Sequence, residues 1–394
     1  MAAHSKLEIL KVATKLGLTS FGGPVAHLGY FREEYVRKRG WLDERSYADL
    51  VALCQFLPGP ASSKVGIGIG LMRGGLLGAV LAWIGFTLPS VIALVVFAYL
   101  LHGWDLQGAG WIHGLKLAAV AIVTQAVWGM GKSLTPDRSR ATIAILTAII
   151  TLVWSTAFTQ IAAIAAAGLV GLFLHKSTAD TEQQQDTQQL PLSKGVGSVL
   201  LLLFIVLLLG LPFLRSLFPH MWGLAVFDSF YRAGALVFGG GHVVLPLLEQ
   251  EVVPSGWMTP DQFLAGYGAV QAVPGPLFTF AAYLGTLIHG WLGALIATIA
   301  IFTPAFLLTL GALPFWNTLR RLPKVKQALW GINAAVVGIL LAALYDPVWT
   351  SAVRTPGDFS LALLLFGALM FWKLPPWIVV VLAAAGGTLL GLLT

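Results

Sequence analysis

Gln55 stands three residues ahead of Pro58-Gly59-Pro60, and Gln271 three residues ahead of Pro274-Gly275-Pro276. In both places the triplet interrupts an otherwise apolar segment. Proline removes a backbone donor and fixes φ, and the residue before it is pushed out of the helical region. Each segment is therefore expected to hold a half-helix, which ends near Leu57 in the first copy, then an unwound Pro-Gly linker and a second half-helix opening at Pro60. Amides at the start of such a half-helix lack a partner one turn back and point along the axis. In the first copy they belong to Ala61, Ser62 and Ser63, with Lys64 beside them, and in the second copy Thr279 follows the triplet. With the helix dipole behind them, these groups form an anion site.

A second duplicated element precedes each triplet. Ser20 leads into Phe21-Gly22-Gly23, and Phe238-Gly239-Gly240 recurs in the second half, followed by Gly241 and His242. Six residues before each Phe-Gly-Gly stands a cation, Lys15 or Arg232. A cation inside a membrane is costly and by default functional. The other reading is snorkelling to the surface, which suits Lys15, near the chain start, better than Arg232. Lys64 aligns with Phe280, so the half-sites are not equivalent, and it reads either as an anion contact or as an interfacial lysine. His27 and His242 align with Val244 and Val25 rather than with each other, and lone histidines more often pack than carry protons. Glu34 matches Glu251 and reads as a solvated carboxylate capping a helix ahead of a proton-coupling group. Gly131-Lys132-Ser133 ends like a phosphate-binding loop, but Ala126 occupies the place of its first glycine, so no ATP site follows.

What must position these residues is set by the solvent. Of 394 residues, 57% are hydrophobic and 10% charged, with a mean hydropathy of +0.82, against about 25% charged in a soluble chain. Runs such as 196–211 and 74–101 are continuously apolar, whereas a transmembrane β-barrel needs short alternating segments. The expected class is an all-α polytopic membrane protein. Residues 1–15 do not read as a signal peptide, because no uninterrupted apolar core precedes a small-residue cleavage site. The single Cys54 excludes an internal disulfide and a cysteine metal cluster. The net charge of +7 sits mostly in loops and reads as cytoplasmic anchoring, not nucleic-acid binding. Asp and Glu are nearly absent from the apolar spans, with Asp228 the main exception, which disfavours a membrane-embedded enzyme. No cofactor and no metal is expected.

The elements come in two sets. From Arg232 onward the sequence repeats that from Lys15 with an offset of 217, then 216 after a one-residue deletion near residue 254. Gly40-Trp41 matches Gly256-Trp257, and Phe86-Thr87 matches Phe302-Thr303. Special residues matching in one register mark an internal duplication. Residues 1–174 form the first repeat, 175–195 a polar linker, 196–221 a connecting transmembrane helix and 222–394 the second repeat. The run 140–174 is too long for one helix and is expected to fold back near Ser155-Thr156. Gly66, Gly70, Gly74 and Gly78 resemble a small-residue packing face.

Loop charges orient the copies. Loop 31–45 carries Arg32, Arg37, Lys38, Arg39 and Arg45, while its partner 249–261 carries no Lys or Arg. The sign reverses for loop 100–110, with none, against 313–326 with Arg320, Arg321, Lys324 and Lys326. Basic loops stay in the cytoplasm, so the repeats have inverted topology, and the segment 196–218 supplies the odd crossing. Interrupted helices in such a plan mark the substrate site of secondary transporters. The same charges put Lys15 and Arg39 on one side, which favours re-entrant segments at 7–30 and at the Pro-Gly-Pro over full crossings. The total is about 9–13 membrane segments.

Taken together, Phe21-Gly22-Gly23-Pro24-Val25-Ala26-His27, Gly40-Trp41, Gln55-Phe56-Leu57-Pro58-Gly59-Pro60 and their second-half counterparts resemble the chromate ion transporter family, as a fused two-domain member. The resemblance covers nearly the whole chain apart from 175–195. It implies a multi-pass protein of the bacterial inner membrane that exports chromate and confers chromate resistance. The residues themselves support a small tetrahedral oxyanion, and leave a sulfate carrier or an anion channel as alternatives. The expected partners are that oxyanion and the lipid bilayer, with a homodimer as one form of assembly. One departure is Phe-Gly-Gly-Gly-His in the second half where the first has Phe-Gly-Gly-Pro. A dianion leaving a cell with a negative interior gains roughly 2 × 2.3 kcal/mol per 100 mV. That sustains a gradient of over about a thousandfold without ATP.

Overall fold

Prolines and glycines break the apolar segments where the sequence places them, and the broken pieces fold back on themselves. In the computed structural model, which describes residues 6–103, 109–174, 192–319 and 322–393, α1 (Lys6–Thr19) stops before Phe21-Gly22-Gly23. The next helix, α2 (Pro24–Phe31), opens on a proline at its first position and widens into a π-turn over Arg32–Lys38. Asp43 then caps α3 (Glu44–Phe56), its side chain accepting from the Ser46 amide. Leu57, held extended by the proline after it, ends that helix, and α4 (Ala61–Gly103) begins beyond the triplet.

Both pairs of arms are antiparallel. Arg39 reaches Glu8 at 2.8 Å across the first pair. In the second, a Cβ on Gly68 would stand 2.8 Å from Leu50, and those two positions are equidistant from Gly59. The two segments are thus hairpins with Phe-Gly-Gly and Pro-Gly-Pro at their tips, the shape expected of re-entrant segments. The second hairpin leads into another reversal inside α4, at Gly74-Gly75, where Gly75 has φ 64° and ψ −158°, a conformation that side chains disfavour. There Gly70 and Gly78 meet so closely that a Cβ on Gly78 would lie 2.2 Å from the Gly70 carbonyl oxygen. The spaced glycines therefore close a turn as well as a helix face.

The second repeat does the same. α9 (Trp222–Leu236) and α10 (Val244–Val252) flank the second Phe-Gly-Gly. α11 (Pro260–Val270), with a Thr259–Gln262 capping box, precedes the second triplet. α12 (Phe280–Ala312) follows that triplet and reverses at His289-Gly290. α5 (Gly110–Leu134), α6 (Arg138–Val153) and α7 (Ala157–Leu174) complete the first repeat. α6 and α7 confirm the fold-back at Ser155-Thr156. After α8 (Lys194–Leu217) and α12, a short α13 (Trp316–Leu319) precedes α14 (Pro323–Ala343). A turn and α15 (Thr350–Ala352) lead to α16 (Pro356–Met370) and α17 (Pro376–Leu393).

Among the described residues five helices are long and apolar enough to cross a membrane, Ala61–Leu101, Lys194–Leu217 and Leu277–Phe315 being three of them. Phe158–Leu174, Pro356–Met370 and Pro376–Leu392 are shorter apolar helices. Among the described residues there is no strand. The repeats exchange their last helices: α5 packs on α16 and α17, and α14 packs on α6 and α7. Small residues permit the close approach. A Cβ on Gly114 would lie 2.0 Å from the Ala383 carbonyl oxygen, and one on Gly331 1.9 Å from that of Ala167. Most of the polar tract 175–195, residues 104–108 of loop 100–110, and Arg320 and Arg321 lie outside the described residues.

Candidate functional site

All four hairpin tips converge where α4 crosses α12. Each Pro-Gly-Pro tip is pinned to the Phe-Gly-Gly tip of the other repeat by its glycine amide. The Gly59 amide donates to the Val237 carbonyl at 2.7 Å, and the Gly275 amide donates to the Ser20 carbonyl at 2.9 Å. Both glycines need positive φ, 99° and 102°, which L side chains resist. Ser90 and Lys64 secure the tips further. The Ser90 hydroxyl donates to the Pro274 carbonyl, and the buried Lys64 ammonium donates to the carbonyls of Leu57 and of Pro58, the latter at 3.0 Å. The Leu57 carbonyl is at the C-cap of α3, where a cation is favoured.

Between the tips lies a cavity of about 500 Å³ including its open mouth. Of the residues singled out from sequence, Gly22, Gly23, Pro60, Ser62, His242, Gln271, Gly275 and Pro276 line it. Ser20, Pro58, Gly59 and Pro274 belong to the tips and contribute the bonds above. Gly239 and Gly240 turn instead towards Met130. The Ser63 hydroxyl is buried without a partner, and Thr279 closes its own helix start by donating to Pro276 at 2.7 Å. Gln55 is exposed, unlike its half-buried counterpart Gln271. The duplicated motifs thus build one cavity displaced towards the Gln271 side, not two equal ones.

The donors in this cavity are neutral. His27, 2% exposed, lies with Nδ1 3.3 Å from the Ser62 hydroxyl and its ring edge-on to Phe86. With Ser62 donating to Nδ1, the ring hydrogen sits on Nε2. That atom is buried without a well-formed hydrogen bond, as is Nε2 of Gln271. Opposite, His242 Nδ1 is 2.8 Å from the Tyr267 hydroxyl. The amides of Ala61, Ser62 and Ser63 precede the first helical bond of α4, made by Lys64 to Pro60. Among the described residues no Lys or Arg lines the cavity. Such an arrangement can accept an anion by N–H dipoles and a helix N-terminus without forming a fixed ion pair.

Sequence reasoning set His27 aside as a packing residue and overlooked Phe278 and Val273, which also line the cavity. Nothing in the spacing links His27 to Ser62, 35 residues on. Only the packing of α2 on α4 brings them together.

Lys15 and Arg232 lie on the first arms of their hairpins, six residues before each Phe-Gly-Gly. Lys15 Nζ pairs with Glu34 at 2.8 Å, and Arg232 pairs with Glu251 at 2.5 Å and with Asp228 at 2.9 Å. The matched cations and the matched glutamates are each other's partners. Burial alone would raise the Glu34 carboxyl, but hydrogen bonds from Lys15 and Arg39 outweigh it and hold it below the ordinary range.

The family model for the chromate transporter matches residues 7–172 and 224–388, one stretch in each repeat. Across 393 residues the chain is 30% identical to the chromate transport protein of Pseudomonas aeruginosa, covering 94% of this chain and 89% of that one. It is 28% identical over 399 residues to the probable chromate transport protein of Synechococcus elongatus, covering 98% and 96%. With the chromate transport protein of Cupriavidus metallidurans it shares 27% identity over 397 residues, covering 98% and 92%. No solved structure matches it.

Proposed function

The chain belongs to the chromate transporter family, and from that premise we propose that it exports chromate across the bacterial inner membrane by alternating access. The observation that carries this reading is the cavity at the convergence of the four tips. There Nε2 of His27, taken as the N–H tautomer, and Nε2 of Gln271 are buried without a well-formed hydrogen bond. The Ser20 and Gly22 carbonyls face the His27 ring, and Tyr267 faces Gln271. A buried donor without a partner costs about 1–3 kcal/mol, and a tetrahedral oxyanion presents acceptors to both at once. The α4 N-terminus adds its dipole and open amides. Lys15, Arg232 and Lys64 act on the anion indirectly, by holding the hairpins and tips in shape. The cavity lies at the interface of inverted repeats, where rocking of one hairpin pair against the other would expose it to alternate sides.

Because the bound anion is not neutralised by a side chain, the membrane potential acts on its charge during outward passage. Uptake of labelled chromate into inverted membrane vesicles tests this, with sulfate as competitor and the potential set by an ionophore. Saturable uptake that rises with an interior-positive potential is expected. Uptake no greater than in vesicles lacking the protein would overturn the reading, and stronger uptake of sulfate than of chromate would replace the substrate.

A further inference from the structure

A second cavity opens away from the anion site, where the connection between α6 and α7 meets α10 and the end of α14. Its polar lining is Thr151, Ser155, Gln160, Glu249, Gln250 and Asp346. Almost everything these side chains offer is oxygen. The one amide donor among them with a shown bond, Gln250 Nε2, is already engaged by Ser155 Oγ at 2.8 Å and Glu249 Oε2 at 3.0 Å. The Thr151 hydroxyl donates to the Thr147 carbonyl at 2.7 Å, so its lone pairs remain. Gln160 is 2% exposed, and its Oε1 is buried with no hydrogen-bond partner. Glu249 is 8% exposed, while Asp346 stands exposed at the mouth.

No Lys, Arg or His lines this cavity among the described residues. Two carboxylates facing a common space without a counter-charge repel each other, and the buried one bears a desolvation cost besides. The orphaned Gln160 oxygen adds a further unmet demand for positive charge. An oxygen-rich shell of this kind is the donor set of a hard cation.

We propose that this cavity binds a small hard cation, held by the carboxylates of Glu249 and Asp346 and by Gln160 Oε1. The site bridges the repeats, since Gln160 and Ser155 come from the first and Glu249 and Asp346 from the second. Glu249 shares α10 with the turn that carries His242 into the anion cavity, about 10 Å away along the helix at ~1.5 Å per residue. Occupancy fixes α10 against α7 and α14, and so sets the position of one tip of the anion site. The coupling rests on the transport reading; the cation site itself does not.

The test is thermal unfolding of the purified full-length protein without chromate, followed by tryptophan fluorescence. NaCl, MgCl2 and CaCl2 are each titrated against choline chloride at matched ionic strength. One of the three cations should raise the midpoint by a few degrees in a saturable manner, and the cation that does so identifies the occupant. The shift should be lost in Glu249→Gln and at least halved in Asp346→Asn, whose exposed position keeps the fold intact. Absence of a saturable shift with all three cations overturns the site, and so does a full shift in both variants. Because no chromate is present, failure here is distinct from failure of the vesicle assay.

Discussion

The amide of Gly59 in the first repeat donates to the carbonyl of Val237 in the second, at 2.7 Å, and the counterpart bond from Gly275 to Ser20 returns the contact at 2.9 Å. These reciprocal bonds lock each Pro-Gly-Pro tip to the Phe-Gly-Gly tip of the opposite repeat. The cavity between the tips is therefore built from both halves of the chain at once, and backbone geometry at two glycines shapes it.

Gly275→Ala should be the most damaging single change at the tips. It forces a side chain to φ 102°, and its Cβ would stand 2.2 Å from Ser90 Oγ. Gly59→Ala has the same backbone problem, but its nearest neighbour is 3.5 Å away. Backbone strain of this kind costs about 1–3 kcal/mol, and the Gly275 clash adds to it. Chromate uptake at matched membrane expression should fall in both, and further in Gly275→Ala. Wild-type uptake by both variants would remove the tips from the mechanism.

His27→Phe and Gln271→Leu each delete one N–H donor from the cavity. A hydrogen bond to a charged group is worth about 1.5–3 kcal/mol, so chromate half-saturation should rise about ten- to a hundredfold. Ser62→Ala should do less, since its amide remains and only the orientation of the His27 ring is loosened. His27→Gln should recover part of the loss by restoring an N–H. Unchanged half-saturation in both deletions would place the anion elsewhere.

Arg232→Gln should act on stability ahead of affinity. Its guanidinium holds Asp228, 1% exposed, and Glu251, 10% exposed, and removing one partner of a buried pair costs about 3–5 kcal/mol. The thermal midpoint should drop sharply, recover partly in Arg232→Lys, which keeps the charge but loses the planar fork, and recover partly in Arg232→Gln/Glu251→Gln. A normal midpoint with a raised chromate half-saturation would instead make Arg232 a substrate contact.

Single cysteines at Lys38 and Ser255, both exposed, mark the loops at the open ends of the matching hairpin pairs. With Cys54 replaced by Ala, an impermeant thiol reagent should reach Lys38→Cys from the cytoplasm and Ser255→Cys from outside. Labelling of both from one side would contradict the inverted arrangement.

Local rules made much of this protein legible in advance. Sustained apolarity identifies a helical membrane chain, because lipid offers no hydrogen bonds to an open backbone. Proline and glycine write their breaks into the residues that carry them, so the half-helices that end at Phe56 and Val270 and restart beyond each triplet follow without knowledge of any neighbour. Matched motifs point to a duplication, and lysine and arginine bias points to an inverted arrangement of its copies.

Tertiary structure decided which of these groups meet. The sequence weighed Lys15 and Glu34 separately, yet 19 residues of antiparallel hairpin bring them to 2.8 Å, and a charge that finds a partner reads differently from one that faces a substrate. Lys64 lies beside open amides in the chain, but the reversal at Pro58 turns its ammonium onto the Leu57 and Pro58 carbonyls. His27 reaches Ser62 only through the packing of α2 on α4, and Gln271 is half-buried where its counterpart Gln55 is exposed. Contacts between residues distant in the chain depend on how the hairpins stack and how α5 and α14 exchange partners, and periodicity along a single segment contains neither.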